Sequence, residues 1–204
     1  MKTLIAVPMK AYADAKTRLS GELDSGARQR LAKVLFEYGQ AFFSENYPQL
    51  DRLVVTPSSE VARAARRAGA SASREPIGVA GLNAAVAMAL SYARLRRYDR
   101  LIVLPADLAI LKTVEFDALL ELADRYDLVT ARAHDGGTNA LLLKLPNAFT
   151  FRYGADSARK HLHQALELGM RAVTVSLPFI GLDVDSPCDR AEARRIGVGA
   201  GAYL

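Results

Sequence analysis

The chain has almost none of the residues that close disulfides or hold zinc: one cysteine, Cys188, and three histidines in 204 residues. A lone thiol forms no internal disulfide and has no second thiol with which to build a zinc site, which sets redox and zinc chemistry aside. Long apolar runs are missing too. The first, residues 4–7, stands between Lys2 and Pro8 and is too short for a signal-peptide core or a membrane span, so a cytoplasmic protein that engages no membrane is expected. No Gly-Lys-Ser/Thr loop occurs, and the alternate glycines Gly197, Gly199 and Gly201 open no helix after a strand, which leaves neither a Walker motif nor a dinucleotide fingerprint. Basic residues outnumber acidic ones by 27 to 22, yet Arg63/Arg66/Arg67, Arg94/Arg96/Arg97 and Arg194/Arg195 fall on separate predicted helices. With no single basic stripe and no aromatic interleaving, no nucleic-acid partner is expected, although the mild positive field favours small anionic substrates.

What is present is a globular composition, 50% hydrophobic and 24% charged, able to bury one sizeable core, with one domain over residues 1–204 as the expectation. Apolar or β-branched runs at 3–7, 52–56, 101–104, 127–131, 140–145 and 172–177 read as strands. Helical patterns fill most of the gaps. Residues 25–45 repeat Leu31, Val34, Leu35, Tyr38 and Phe42 at helical spacing, 58–68 stops at Gly69, and 80–95 is a small-residue amphipathic segment. Asp156 is the expected cap of a helix over 157–168, and Ser186 followed by Pro187 opens a last helix reaching Ile196. Strands alternating with helices predict an α/β fold with a mainly parallel sheet covered on both faces, in which ligands sit beyond the carboxyl ends of the strands.

The segments that follow the strands carry the chemistry. After the first strand, Pro8 leads into a loop with Lys10, Lys16 and Arg18, whose charges and backbone amides suit a polyphosphate; a solvated basic loop is the alternative. Asp107, in Pro105-Ala106-Asp107-Leu108, is a lone carboxylate at the mouth of the sheet, a metal ligand or else a turn or cap residue before the helix that begins near Thr113. Asp183-Val184-Asp185 points two carboxylates to one side of an extended segment with Val184 turned to the core. Like charges at ~4 Å repel by about 4 kcal/mol at an effective dielectric near 20, so a bound cation explains the pair, and ligands that are all oxygen favour magnesium. Asp185 reads otherwise as a turn cap before Ser186. His134 to Asn139 and Phe151 to Ser157 read as anion-cradling turns, with Thr138 and Ser157 offering hydroxyls, Gly154 allowing close approach, and Ser157 in the first turn of a helix. His161, one turn on, reads as a packing or loop-supporting residue, with a place facing the same ligand as the alternative. Gly81-Leu82-Asn83 precedes an Ala-rich helix, and Asn83 reads as a purine-edge donor or as that helix's cap.

Together these motifs resemble the 2-phospholactate guanylyltransferase family of CofC/FbiD type, which makes the guanylyl intermediate of coenzyme F-420. The resemblance spans nearly the whole chain and rests on Pro8-Met9-Lys10, Ala15 to Leu19, Gly81 to Ala85, Leu104 to Leu108, Gly137 to Leu141, Gly154 through Ser157 to His161, and Asp183 to Asp185. It implies a Rossmann-like, GT-A-like nucleotidyltransferase fold of three layers with a mainly parallel mixed sheet, and a homodimer. It implies GTP held by Pro8, Lys10, Lys16, Arg18, Gly81, Leu82 and Asn83, with Asp107, Lys16 and Arg18 catalytic. Mg2+ is implied on Asp107, Asp183 and Asp185, and a small phosphorylated carboxylic acid on Thr138, Asn139, Gly154 and Ser157. The acceptor stays open among 2-phospholactate, phosphoenolpyruvate and 3-phosphoglycerate. Other sugar-phosphate or pterin-cofactor nucleotidyltransferases, or a non-catalytic nucleotide-binding regulator, are the rival readings.

Overall fold

A computed structural model describes residues 1–75, 81–133 and 135–196. Residues 76–80, His134 and residues 197–204, with Gly197, Gly199 and Gly201 among them, lie outside the described residues. The elements run β1 (Thr3–Pro8), α1 (Ser25–Asn46), β2 (Asp51–Thr56), α2 (Ser59–Arg67), β3 (Ser71–Arg74), α3 (Leu82–Leu95), β4 (Arg100–Val103), α4 (Thr113–Arg125), β5 (Leu128–Arg132), β6 (Thr138–Lys144), α5 (Ser157–Glu167), β7 (Ala172–Val175) and α6 (Pro187–Ile196). The strands form one seven-stranded sheet ordered β3-β2-β1-β4-β6-β5-β7. Neighbours are parallel except at β6, which runs antiparallel to both β4 and β5. This is the expected mainly parallel, mixed α/β sheet. Among the described residues, no helix is long and apolar enough to cross a membrane.

Alternation along β1 fills both faces. Ile5 and Val7 pack with Phe36 and Phe43 of α1, Val61 and Ala65 of α2 and Phe116 of α4. Leu4 and Ala6 face Ala85, Val86 and Ala89 of α3 and Ala165 of α5. Continuous apolar strands follow from burial on both faces. A third cluster joins Leu31 and Leu35 of α1 to Leu19, Ile110, Leu182, Val184 and Ala193 of α6, and it underlies the loops where the chemistry lies. Val184 is fully buried, as its alternation with Asp183 and Asp185 predicts.

Local rules set most helix starts. Asp24 caps α1 by accepting from Ala27 N at 2.7 Å, and Ser58 caps α2 by accepting from Val61 N at 3.3 Å. At α6 the expected Ser186 cap is reciprocal: its Oγ accepts from Asp189 N, and the Asp189 carboxylate accepts from Ser186 N. The expected Asp156 cap is not formed. Asp156 adopts a left-handed backbone (φ 56°) with no side-chain cap bond to the α5 backbone, and its carboxylate instead accepts from the Arg159 side chain of α5 at 3.4 Å. Gly154, at φ 129°, reverses the chain just before it, a backbone that side chains rarely adopt. Strand β3 was not foreseen. Its Ser-Ala-Ser-Arg sequence has no run of apolar residues to mark it, because an edge strand with partly exposed sides needs none.

Candidate active site

β1 continues to β2 on one side and has β4 on the other, so the chain order reverses between β1 and β4, and the crevice beyond their carboxyl ends is the ligand-binding place of open α/β sheets. Pro8 ends β1 and Asp107 follows β4, which puts both at that crevice. Because β6 is antiparallel to β4, its start, not its end, reaches the same edge, and this brings Thr138 and Asn139 there. They belong to the strand rather than to the turn expected of them.

The basic loop is folded onto the carboxylates. Two short 3-10 turns, Tyr12–Asp14 and Thr17–Leu19, are pinned by the buried side chains of Tyr12 and Leu19. Lys16, between them, takes a left-handed backbone (φ 57°) and is buried. Its Nζ donates to Asp107 Oδ2 and, at 3.2 Å, to Asp185 Oδ1. Burial alone would push the Lys16 ammonium down, but Asp107 and then Asp185 outweigh it and hold it above the usual lysine value. Arg18, mostly exposed, places Nη1 3.5 Å from Asp185 Oδ2. Lys10 is exposed.

Asp107, Asp183 and Asp185 converge, with one carboxylate oxygen of each within 4.8 Å of the others. The backbone does the gathering: Leu108 and Asp183 form an antiparallel bridge, and Val184 N donates to Asp107 O at 3.3 Å. Asp107 is therefore no cap for α4; its carboxylate is turned to Lys16. Burial, then the Asp107 charge, raises Asp183 to about 6, against the opposing bond from Asn139. The donor set is all carboxylate oxygen, it is negatively charged in excess of Lys16, and it already attracts one cation in the form of that ammonium. Its chemistry fits a hard divalent cation such as magnesium.

Two supports of this cluster escape sequence reading. Asn139 was expected to contact a phospho-acid, yet its Nδ2 donates to Ile180 O and to Asp183 Oδ1, both at 3.0 Å. The buried Glu115 carboxylate accepts from Phe179 N and, at 2.8 Å, from Ile180 N, which fixes the turn just ahead of Asp183. Only the general scarcity of buried charge marks Glu115 after the fact; no local motif does.

Strand alternation sends Thr138 to the other side of β6 from Asn139. Thr138 Oγ1 lies 3.0 Å from Ser157 Oγ and 3.2 Å from His161 Nδ1. All three residues are buried, and Gly154 is exposed at the turn ahead of them. Gly81, Leu82 and Asn83 start α3 on the exposed surface. Both ends of the Asn83 amide are engaged: Oδ1 accepts from Tyr153 N at 2.8 Å and Nδ2 donates to Tyr153 O at 3.2 Å. Asn83 is thus neither a helix cap nor, in this arrangement, an open purine-edge donor; it ties the start of α3 to the residue before Gly154.

A mixed, mostly parallel seven-stranded sheet of this order is the Rossmann-like fold of solved nucleotidyltransferases. A solved cytidylyltransferase from Leptospira borgpetersenii superposes with a TM-score of 0.62 over 98% of this chain and 90% of its own, at 14% identity, a likeness of fold alone. Within that class the chain belongs to the family described as guanylyl transferase CofC like, whose model matches residues 1–203. A 3-phospho-D-glycerate guanylyltransferase of Colwellia psychrerythraea is 37% identical over 93% of this chain and 90% of its own length. A phosphoenolpyruvate guanylyltransferase of Conexibacter woesei is 34% identical over 96% and 89%. A 2-phospho-L-lactate guanylyltransferase of Methanothermobacter thermautotrophicus is 31% identical over 99% and 88%.

Proposed function

We propose that this protein transfers GMP from GTP onto the phosphate of a small phosphorylated carboxylic acid, releasing diphosphate, as a step toward coenzyme F-420. The acceptor is 2-phospho-L-lactate, phosphoenolpyruvate or 3-phospho-D-glycerate, the three acids named for its relatives. The observation that carries the reading is that two consecutive residues at the start of β6, on the carboxyl edge of the sheet, support the two halves of the site: Asn139 donates to Asp183 of the Asp107/Asp183/Asp185 cluster, and Thr138, on the other face, pairs with Ser157. The protein acts in the cytoplasm as a homodimer of single domains, each spanning residues 1–204.

Asp107, Asp183 and Asp185 would hold Mg2+, which when bound would supply positive charge to offset that of the phosphates. Lys10, Lys16 and Arg18 lie against the triphosphate and offset the charge that builds as the bond to diphosphate lengthens. Pro8, Gly81 and Leu82 flank the nucleotide, and Asn83 joins that wall to the acceptor loop through Tyr153. Thr138, Gly154 and Ser157 hold the phospho-acid at the start of α5, where the helix dipole favours an anion. Asn139 orients Asp183. The acceptor phosphate is already ionised, so attack on the α-phosphorus calls for orientation rather than for a general base, and no protein nucleophile takes part.

Ser157→Ala tests the acceptor pocket. Loss of one hydrogen bond to a charged ligand is expected to raise the KM for the phospho-acid by about 10–100-fold while the KM for GTP stays within about twofold. An unchanged acceptor KM in steady-state assays would remove Ser157 from the pocket.

A further inference from the structure

The buried imidazole of His161 stands behind the Thr138–Ser157 hydroxyl pair assigned above to the phospho-acid. Its Nε2 accepts from the Arg152 backbone N–H at 2.9 Å, and its Nδ1 lies 3.2 Å from Thr138 Oγ1. A backbone amide can only donate, so Nε2 must be bare and the ring proton of a neutral imidazole must sit on Nδ1. The ring is fully buried among Phe149, Phe151 and Tyr153. Burial, with help from the Arg152 and Lys160 charges, lowers it to about 4, which keeps it neutral through the working pH range.

The direction of that proton decides what the hydroxyl pair offers. Among the described residues, Thr138 Oγ1 and Ser157 Oγ bond only to each other and, for Thr138, to His161. Three protons, on Nδ1, Thr138 and Ser157, serve two contacts. Once Nδ1–H is given to Thr138, one hydroxyl proton remains over, on Ser157 if Thr138 donates to it, or on Thr138 if Ser157 does. With the opposite tautomer Thr138 would donate to Nδ1 and Ser157 to Thr138, and no proton would be left. The pair would then show only lone pairs to an incoming anion, which repels it.

We infer that His161 is a positioning residue whose Nδ1–H tautomer, fixed by the Arg152 amide, makes the Thr138–Ser157 pair a net hydrogen-bond donor to the anionic phospho-acid. This rests on the acceptor-pocket reading proposed above and adds to it the group that sets the pocket's polarity. It also accounts for a histidine buried out of contact with solvent.

The experiment combines a tautomer measurement with kinetics on the full chain. In long-range 1H–15N spectra of histidine-labelled wild type, His161 is expected to show a protonated Nδ1 and a bare Nε2. The variants His161→Leu, His161→Asn and Ser157→Ala are then assayed with GTP, Mg2+ and each of 3-phospho-D-glycerate, phosphoenolpyruvate and 2-phospho-L-lactate. His161→Leu is expected to raise the KM for the accepted acid by about 10–100-fold with the GTP KM within about twofold. His161→Asn, whose amide can still donate to Thr138, is expected to recover most of that loss; a purely structural role would spare neither substrate and would show no such rescue. A bare Nδ1 in the wild-type spectrum overturns the inference whatever the variants do, including a leucine variant that fails to fold. A raised acceptor KM in Ser157→Ala with none in His161→Leu overturns the inference and leaves the pocket standing. No effect in Ser157→Ala overturns the pocket reading itself.

Discussion

Asp183→Asn is expected to make the metal-free protein more stable while cutting guanylyl transfer by about a thousandfold, the several kcal/mol that a metal ligand supports in phosphoryl chemistry. The stabilisation follows from the sign of the shift. In the folded chain Asp183 titrates at about 6, above the ordinary value of 3.8. Between those two values the native state keeps a proton that the unfolded chain has released, so stability falls as pH rises through this window. The penalty is absent below the unfolded value, complete above about 6, and at most about 3 kcal/mol by linkage. An asparagine cannot ionise, and its carbonyl can still accept from Asn139. In EDTA at pH 7.5 its melting midpoint is expected to lie several degrees above wild type, and the difference to vanish at pH 4. A variant that melts with wild type at both pH values would show that Asp183 carries no such burden.

Lys16→Met is expected to act with the opposite sign. The Lys16 ammonium is almost wholly buried and is shared by Asp107 and Asp185, so its loss leaves their charges facing Asp183 without a counter-ion. Breaking a buried ion pair from one side costs about 3–5 kcal/mol, and the lower end applies here because Asp107 and Asp185 keep 24% and 41% of their side-chain surface in water. The metal-free variant is therefore expected to melt well below wild type and to regain most of the loss when Mg2+ is added, since a divalent ion restores the missing charge. Its transfer rate is expected to stay low even then, because the same ammonium serves the triphosphate. Equal melting of wild type and variant in EDTA would separate Lys16 from the carboxylates.

The opposite signs of these two substitutions come from one local fact, an excess of negative charge gathered on a buried bridge. That gathering was readable in part. Asp183-Val184-Asp185 declares its two-faced geometry in three residues, and the apolar runs that become β1, β2 and β4 fix which loops share an edge. Lys16 and Arg18 announce themselves by charge after a strand. What could not be read depends on partners far along the chain. Asn139 reaches Asp183 across 44 residues and Glu115 reaches Ile180 across 65, and neither sits in a motif that records the contact. Asn83 looks like a helix cap from its position, yet its amide closes on the Tyr153 backbone 70 residues on. Asp156 looks like one as well, but the turn that begins at Gly154 leaves it in a left-handed backbone with its carboxylate aimed at Arg159.

The most direct test of the central claim is diphosphate release from GTP and Mg2+, with each of the three phospho-acids offered separately and the assay repeated with ATP and CTP, the product being weighed by mass spectrometry. Release with GTP and one acid, with a product carrying GMP joined to that acid through its phosphate, is the predicted result. GTP binding without diphosphate release across all three acids, or release driven by CTP in preference to GTP, would contradict it.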